Sequence, residues 1–217
     1  MRLTAMPLPT GTPRQPALTG RTGRKSRKAI WILLFLAAGA AAGSGAERRE
    51  PDIVVCLHHG NVSAAIVAPA EAQAQRMLAS VGISVAWRLG TPNYHGRAEV
   101  IEAVLAERAA EGFRPGALAF ASLGVQAGTR IEILYNRVQA SGPAAAVPSI
   151  LAHVLVHEIT HVLEGVSRHS ESGVMKAHWD PEDFRHMRSS LPFAAEDIRL
   201  IHAWTERHNQ TLLAAVR

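Results

Sequence analysis

The sequence predicts an α+β domain in which a small sheet packs on helices. Short runs rich in β-branched residues, such as 52–58, are typical of buried strands. Longer stretches with apolar residues at helical spacing, such as 148–163, alternate with them along the chain. Hydrophobic residues make up 47% of the 217 residues and charged residues 19%, which favours a globular protein over a disordered one.

The predicted elements begin at residue 52 and follow one another with short connections. Residue patterns predict strands at 52–58, 83–88, 117–122 and 130–138, and helices at 69–81, 98–111, 148–163 and 195–208. Pro69 is expected to open the first helix, and Gly82 to close it. Asp180 followed by Pro181 is typical of a helix start, so a short helix is expected there. No repeat or Ser/Gly-rich linker divides residues 47–217, which are therefore predicted to form one domain.

Residues 1–46 have the pattern of a secretory signal peptide. A basic cluster at 21–28 leads into the apolar run 29–38, and small residues follow. Counted together with the first small residues after it, the apolar run covers about 14 residues, fewer than the roughly 20 that a transmembrane helix needs. An uncleaved membrane anchor through 29–43 is the alternative. Both interpretations place residues 47–217 outside the cytoplasm, in a secreted or periplasmic location.

The basic net charge of the chain originates in this leader. The formal net charge is +5 and the isoelectric point is near 10.1, values that ordinarily suggest a nucleic-acid partner. However, seven of the 23 lysines and arginines lie in residues 1–46, which contain no acidic residue. Residues 47–217 carry 16 basic against 18 acidic side chains. Nucleic-acid binding is therefore not expected.

The chain has a single cysteine, Cys56, within the apolar run Ile53–Leu57. One thiol cannot form an intramolecular disulfide, so stability must come from core packing, with or without a bound metal. The sequence favours a role for Cys56 as a small buried hydrophobe. The alternative is a thiolate that inhibits a zinc site by occupying the metal.

The segment His157-Glu-Ile-Thr-His161 predicts a zinc-dependent hydrolase site. Residues four apart on a helix lie about 40° apart around its axis, so His157 and His161 can chelate one metal ion. Glu158 lies at the edge of that face, where its carboxylate can act on a water as general base and then as acid. The alternative is two surface histidines beside an ordinary glutamate. Apolar residues on the opposite side of the helix are suited to the core: Leu151, Leu155, Ile159 and Val162.

Beyond this segment, Gly165, His169 and Met175 follow in an order that resembles the motif of the metzincin zinc peptidases. The pair His169-Ser170 followed by Gly-Val-Met175 is similar to matrixin-like members of that family. The resemblance implies that His169 is the third zinc ligand, that Gly165 turns the chain after the helix and that Met175 forms a hydrophobic base. It also implies a metzincin-like fold, with a small mixed twisted sheet on helices, an active-site zinc helix, a Met-turn and a C-terminal helix.

The chain departs from the family pattern in the loop after the helix. Glu164 and Ser167 stand where the family usually has its glycine and its third ligand, so both arrive late in this sequence. A slightly longer loop can absorb the difference because Gly165 can adopt a left-handed conformation. Lys176 follows Met175 in place of the tyrosine found in some subfamilies. The resemblance is therefore to a divergent metzincin-like group.

Other residues remain candidates for the third ligand. Glu164, seven residues after His157, shares its helix face, although contact with a metal ligand or a solvated position fits it better than binding the metal itself. His153, four residues before His157, also shares that face, but the three helix histidines would bind in a nearly linear arrangement. His178 lies beyond the Met-turn.

The function expected from these features is an exported zinc-dependent metalloendopeptidase whose substrate is a peptide or protein. The expected cofactor is zinc, with His157, His161 and His169 as ligands and Glu158 as the catalytic residue. One alternative is a non-catalytic zinc-stabilised binding domain that kept the metal and lost the chemistry. Another is a zinc hydrolase acting on a non-peptide amide.

Overall fold

The computed structural model describes residues 50–92, 94, 96–107, 116–124 and 128–215. Ala46–Arg217 form one compact unit. The predicted signal peptide or membrane anchor at 1–46 lies outside the described residues, as do the last residues of the helix predicted at 98–111.

Among these residues the sheet has five strands, in the order β2-β1-β3-β5-β4. Their bounds are Ile53–His58 (β1), Val85–Leu89 (β2), Glu99–Ala106 (β3), Ala119–Gly124 (β4) and Gly128–Leu134 (β5). All neighbouring pairs are parallel except β4–β5, so an antiparallel strand forms one edge. A mixed sheet combined with helices agrees with the predicted α+β class.

In the described part of the chain, five α-helices accompany the sheet. Their bounds are Ala64–Ala79 (α1), Tyr135–Ala140 (α2), Val147–Glu164 (α3), Pro181–His186 (α4) and Ala195–Ala215 (α5), with 3₁₀ turns at Ala144–Ala146 and Met187–Ser189. The helices predicted at 148–163 and 195–208 are confirmed as α3 and α5. The predicted helix start at Asp180 is also confirmed, because its side chain accepts hydrogen bonds from the backbone of Glu182 and Asp183.

The helix predicted at 98–111 is wrong over its described part, which forms strand β3. Along β3 the buried side chains of Ile101, Ala103 and Leu105 alternate with partly buried ones, which is the period of a strand. The strand lies between β1 and β5, and its second face also carries apolar Val100 and Val104. Apolar residues on both faces gave the segment a helical appearance, and pairing with its neighbours decided the outcome.

Two predicted boundaries are also wrong. The strand predicted at 130–138 ends at Leu134, and the chain continues as α2, in which Val138 is buried. Helix α1 begins before Pro69, because the Ser63 side chain accepts a hydrogen bond from the backbone N–H of Ala65 and caps the helix there. The proline therefore lies inside the helix.

Helices α1, α3 and α5 form the main hydrophobic core with one face of the sheet, and this core includes Leu78, Leu151, Leu155 and Ile201. The second face carries a smaller cluster of Val54, Cys56 and Ala98. Cys56 is only 1% exposed, and burial raises the pKa of its thiol. This burial agrees with its predicted role as a small hydrophobe.

Among the described residues, one helical stretch, Ala144–Glu164, is long and apolar enough to cross a membrane by length and composition. Most of that stretch, 78% of its apolar window, is buried inside the protein. Such burial is typical of a core helix, because its apolar side chains already have packing partners.

Candidate metal centre

His157 and His161 project from α3 into a cleft, and each imidazole is fixed by a backbone carbonyl. Nδ1 of His157 donates to the oxygen of Val174 at 2.9 Å, and Nδ1 of His161 donates to the oxygen of Val166 at 3.2 Å. A carbonyl oxygen can only accept, so Nδ1 carries the hydrogen in both neutral rings. In each ring Nε2 is therefore left with a free lone pair, the form that binds a metal ion.

The two Nε2 atoms lie 3.1 Å apart. Since neither carries a hydrogen in this tautomer, their lone pairs repel each other unless a cation lies between them. Two imidazole nitrogens at about 2.0–2.1 Å from a tetrahedral zinc would lie roughly 3.4 Å apart, close to the separation observed here. The donor pair therefore fits a small metal ion.

His169 brings a third imidazole to the same point. One ligand atom from each of His157, His161 and His169 lies within 4.8 Å of the others. Burial decreases from His157 to His161 to His169, and His169 is exposed. The histidines that the sequence analysis named as zinc ligands are thus close enough together to bind one metal ion.

Burial favours the neutral form of these rings. It lowers the pKa of His157 to about 4, and it is also the main cause of the lowered pKa values of His161 and His169. A metal ion binds the neutral imidazole, so at neutral pH no proton has to be displaced from the site.

The loop to His169 begins at Gly165, which has a φ of +69° and ends α3. Its N–H donates to the carbonyl oxygen of His161, as expected at a left-handed helix end. A Cβ at this position would meet no atom within 4 Å, so the requirement for glycine comes from the backbone conformation. The predicted turn at Gly165 is confirmed.

The turn around Met175 is packed tightly against the segment that precedes α5. Gly173 has a φ of +78°, and a Cβ there would lie 2.2 Å from the carbonyl oxygen of Pro192. Val174 and Met175 are fully buried in the main core. The N–H of Ser170 donates to the carbonyl oxygen of Met175 at 2.8 Å, which ties the His169 loop to this turn.

Glu158 lines the same cleft as the histidines and is 7% exposed. Burial raises the pKa of its carboxyl to about 7. A carboxyl with that pKa can both accept and return a proton near neutral pH, as general acid–base catalysis requires.

The cleft has a volume of about 1280 Å³ and is walled by α3 on one side and by the edge strand β4 on another. Aromatic side chains lie beside the histidines. The Trp179 ring meets His157 edge-on at 5.7 Å between centroids, and Phe184 contacts Trp179 at 6.3 Å. Lys176, also at the cleft, pairs with Asp180 and Asp183.

The other candidates for the third ligand lie outside the group of three. Both nitrogens of His153 are engaged, one with the oxygen of Ser149 and one with the N–H of Leu191. The Glu164 side chain is fully buried and contacts Arg168, so the solvated role considered for it is wrong. His178 is exposed in the cleft but does not belong to the group.

Sequence reasoning missed Asp197, whose side chain is 0% exposed and contacts both Arg168 and Ser170. It lies in the first turn of α5, where an acidic residue is common for reasons unrelated to any site. Its contacts span nearly 30 residues of chain, so no local pattern could have revealed them.

No protein-family model matches the chain, and a search of curated proteins finds no significant match.

Proposed function

We propose that the protein is a zinc-dependent metalloendopeptidase of metzincin-like fold. The observation that carries this proposal is the convergence of two Nε2 lone pairs at 3.1 Å, with the His169 ring beside them. Three histidine ligands, with a further position left for a water or substrate, are characteristic of catalytic zinc sites. His157, His161 and His169 would hold the metal.

Glu158 would perform the proton transfers. A bound zinc would supply Lewis-acid polarisation and lower the pKa of a water. With its own pKa near 7, Glu158 would take the proton from the attacking water and deliver it to the leaving amine. The apolar surroundings that raise this pKa would also keep bulk water away from the carboxyl.

The cleft suits an extended peptide. Strand β4 pairs with β5 on one side and forms the edge of the sheet, and its residues 119–121 line the cleft. An extended chain can add to a sheet edge through main-chain hydrogen bonds. A peptide bound there would run between β4 and α3, alongside the histidines, with Trp179 and Phe184 available for an apolar side chain.

The leader supports export. We propose that 1–46 direct residues 47–217 to a secreted or periplasmic location, with anchoring through 29–43 if the leader is retained. N-terminal sequencing of the exported protein would separate the two cases, because a retained anchor leaves the original N-terminus intact.

The decisive experiment is Glu158→Gln assayed on a diverse peptide library. We expect kcat/KM to fall by about 10²–10⁴-fold because the general base is lost, while the zinc content stays at about one per chain. Glu71→Gln is the matched control, since Glu71 is a partly buried helical glutamate that does not line the cleft. Equal hydrolysis by wild type and Glu158→Gln would refute the catalytic assignment.

A non-catalytic zinc-stabilised binding domain is the second candidate. This candidate is favoured by the fact that the two cationic side chains near the histidines are already paired with carboxylates. Lys176 is held by Asp180 and Asp183, and Arg168 is held by carboxylates, so both are engaged and not free to stabilise an oxyanion. This candidate predicts bound zinc and marked destabilisation by chelators, with no cleavage of the library.

Hydrolysis of small N-acyl amides alone would instead indicate the third candidate, a hydrolase of non-peptide amides.

A further inference from the structure

The two chain neighbours of His169 contact the same carboxylate. Nη2 of Arg168 donates to Oδ1 of Asp197, and Oγ of Ser170 donates to the same oxygen at 2.6 Å. The second oxygen, Oδ2, accepts from the N–H of Ala194 at 2.8 Å. A carboxylate that is 0% exposed thus receives three donors, two of them from the loop that carries His169.

Arg168 connects the Asp197 carboxylate to helix α3, which carries His157 and His161. Its Nε lies 3.5 Å from Oε2 of Glu164, in the last turn of α3. The guanidinium therefore bridges α3 and α5 at the base of the loop. Since a guanidinium is planar and rigid, such a bridge fixes direction as well as distance.

The three histidines differ in how their rings are held. Those of His157 and His161 each donate to a backbone carbonyl, whereas no hydrogen bond is made by the His169 ring to any described residue. The exposed His169 ring stacks on His157 and meets His161 edge-on, and its position otherwise depends on the backbone on either side of it. That backbone is fixed at residues 168 and 170.

From this arrangement we infer that Asp197 is a positioning residue for the third metal ligand. This inference requires the metal centre of the proposed function but does not require peptidase activity. Helix capping alone would need only Oδ2, the oxygen that accepts from Ala194. The contacts at Oδ1 serve the loop, and they set where His169 meets the other two rings.

The test is the zinc affinity of Asp197→Asn, measured by competition with a chromophoric chelator. The amide keeps an acceptor for the helix cap but loses the charge that holds Arg168. We expect the zinc dissociation constant to rise by roughly 10–100-fold, the usual effect of losing a group that orients a ligand. Glu196→Gln is the matched control, because Glu196 is the exposed neighbour on α5 and pairs with Arg199. It should leave the affinity unchanged.

A double-mutant cycle separates positioning from general loss of structure. If Asp197 acts through His169, Asp197→Asn should change zinc affinity by less than about 2-fold once His169→Ala is present. The visible spectrum of the Co²⁺-substituted protein should also move towards that of His169→Ala. Ser170→Ala removes one donor with little risk to folding, and we expect a smaller loss of roughly 3–10-fold in the same direction.

The possible outcomes are distinct. Wild-type protein that fails to bind zinc would overturn the metal centre and this inference together. Zinc-binding wild type with unchanged affinity in both Asp197→Asn and Ser170→Ala would overturn the positioning role alone. An equal effect of Asp197→Asn on zinc affinity in the presence and absence of His169 would also overturn the positioning role. Loss of peptidase activity at unchanged zinc affinity would also count against positioning and leave the metal centre intact.

Discussion

The two halves of the candidate metal centre are built differently. His157 and His161 lie on a helix whose other side is core, and their rings are anchored to backbone carbonyls. His169 lies exposed on a loop, and its neighbours are held by Asp197 from another helix. The helical half is determined by local structure, and the loop half depends on contacts between distant parts of the chain. The two halves should therefore respond differently to mutation.

Removal of a ligand should show the largest effect. Structural zinc sites bind with about 10–16 kcal/mol over four ligands, so one ligand contributes roughly 3–4 kcal/mol, or about 10²–10³-fold in affinity. We expect His157→Ala to reach the upper end of this range, because the buried site has little room to rearrange. His169→Ala should stay near the lower end, because water can replace an exposed ligand. Competition titration with zinc measures both, and equal losses would contradict the difference between the halves.

Helix α3 should also make the fold sensitive to acid through His153, which lies outside the group of three histidines. Burial lowers the pKa of His153 from 6.5 to about 4, so between these values the unfolded chain binds a proton that the folded chain does not. The free energy of unfolding of the zinc-free protein should therefore fall as the pH drops from 6.5 to 4, by on the order of 3 kcal/mol from this residue.

Urea titrations at several pH values measure this loss. His153→Gln should make the profile less steep in the same window, because glutamine does not titrate there, while His157 keeps its own contribution to the slope. An equally steep profile in that variant would assign the acid sensitivity to other groups.

The junction of the two halves should show the smallest effect on stability. Gly165→Ala forces a left-handed conformation on alanine at a cost of about 1–2 kcal/mol. Gly82→Ala is the matched control, since Gly82 has a φ of +84° and open space around it, far along the chain from the loop. Both variants should lower the free energy of unfolding similarly in chemical denaturation. Only Gly165→Ala should weaken zinc binding, and a similar loss in Gly82→Ala would refute a specific role for the junction.

Sequence reasoning predicted those parts of the molecule whose structure is determined by residues close together in the chain. Helix spacing placed His157 and His161 on one face, and a capping side chain with a proline located the start of α4 at Asp180. Strand β3 was predicted as a helix because its two faces are both apolar, which only its neighbours in the sheet explain. Its assignment needed the pairing partners, and these are far away in sequence.

The loop half shows the same limit. Gly165 was predicted as a turn because its conformational freedom is intrinsic to the residue. The choice between His169 and Glu164 came from a family resemblance, since spacing along the chain left both open. The structure turns Glu164 towards Arg168 and into the core, and Arg168 also contacts Asp197 of α5. Arg168 and Asp197 are far apart along the chain, so the sequence around either residue gives no sign of their contact.

The lone thiol gives the protein a built-in reporter. Cys56 lies in strand β1, between β2 and β3, and it is 1% exposed. A thiol reagent can reach it only when the residues packed over this face of the sheet move away, so its labelling rate would measure how often that face opens. Because every molecule carries one such group, no engineered label is needed to follow opening with and without zinc.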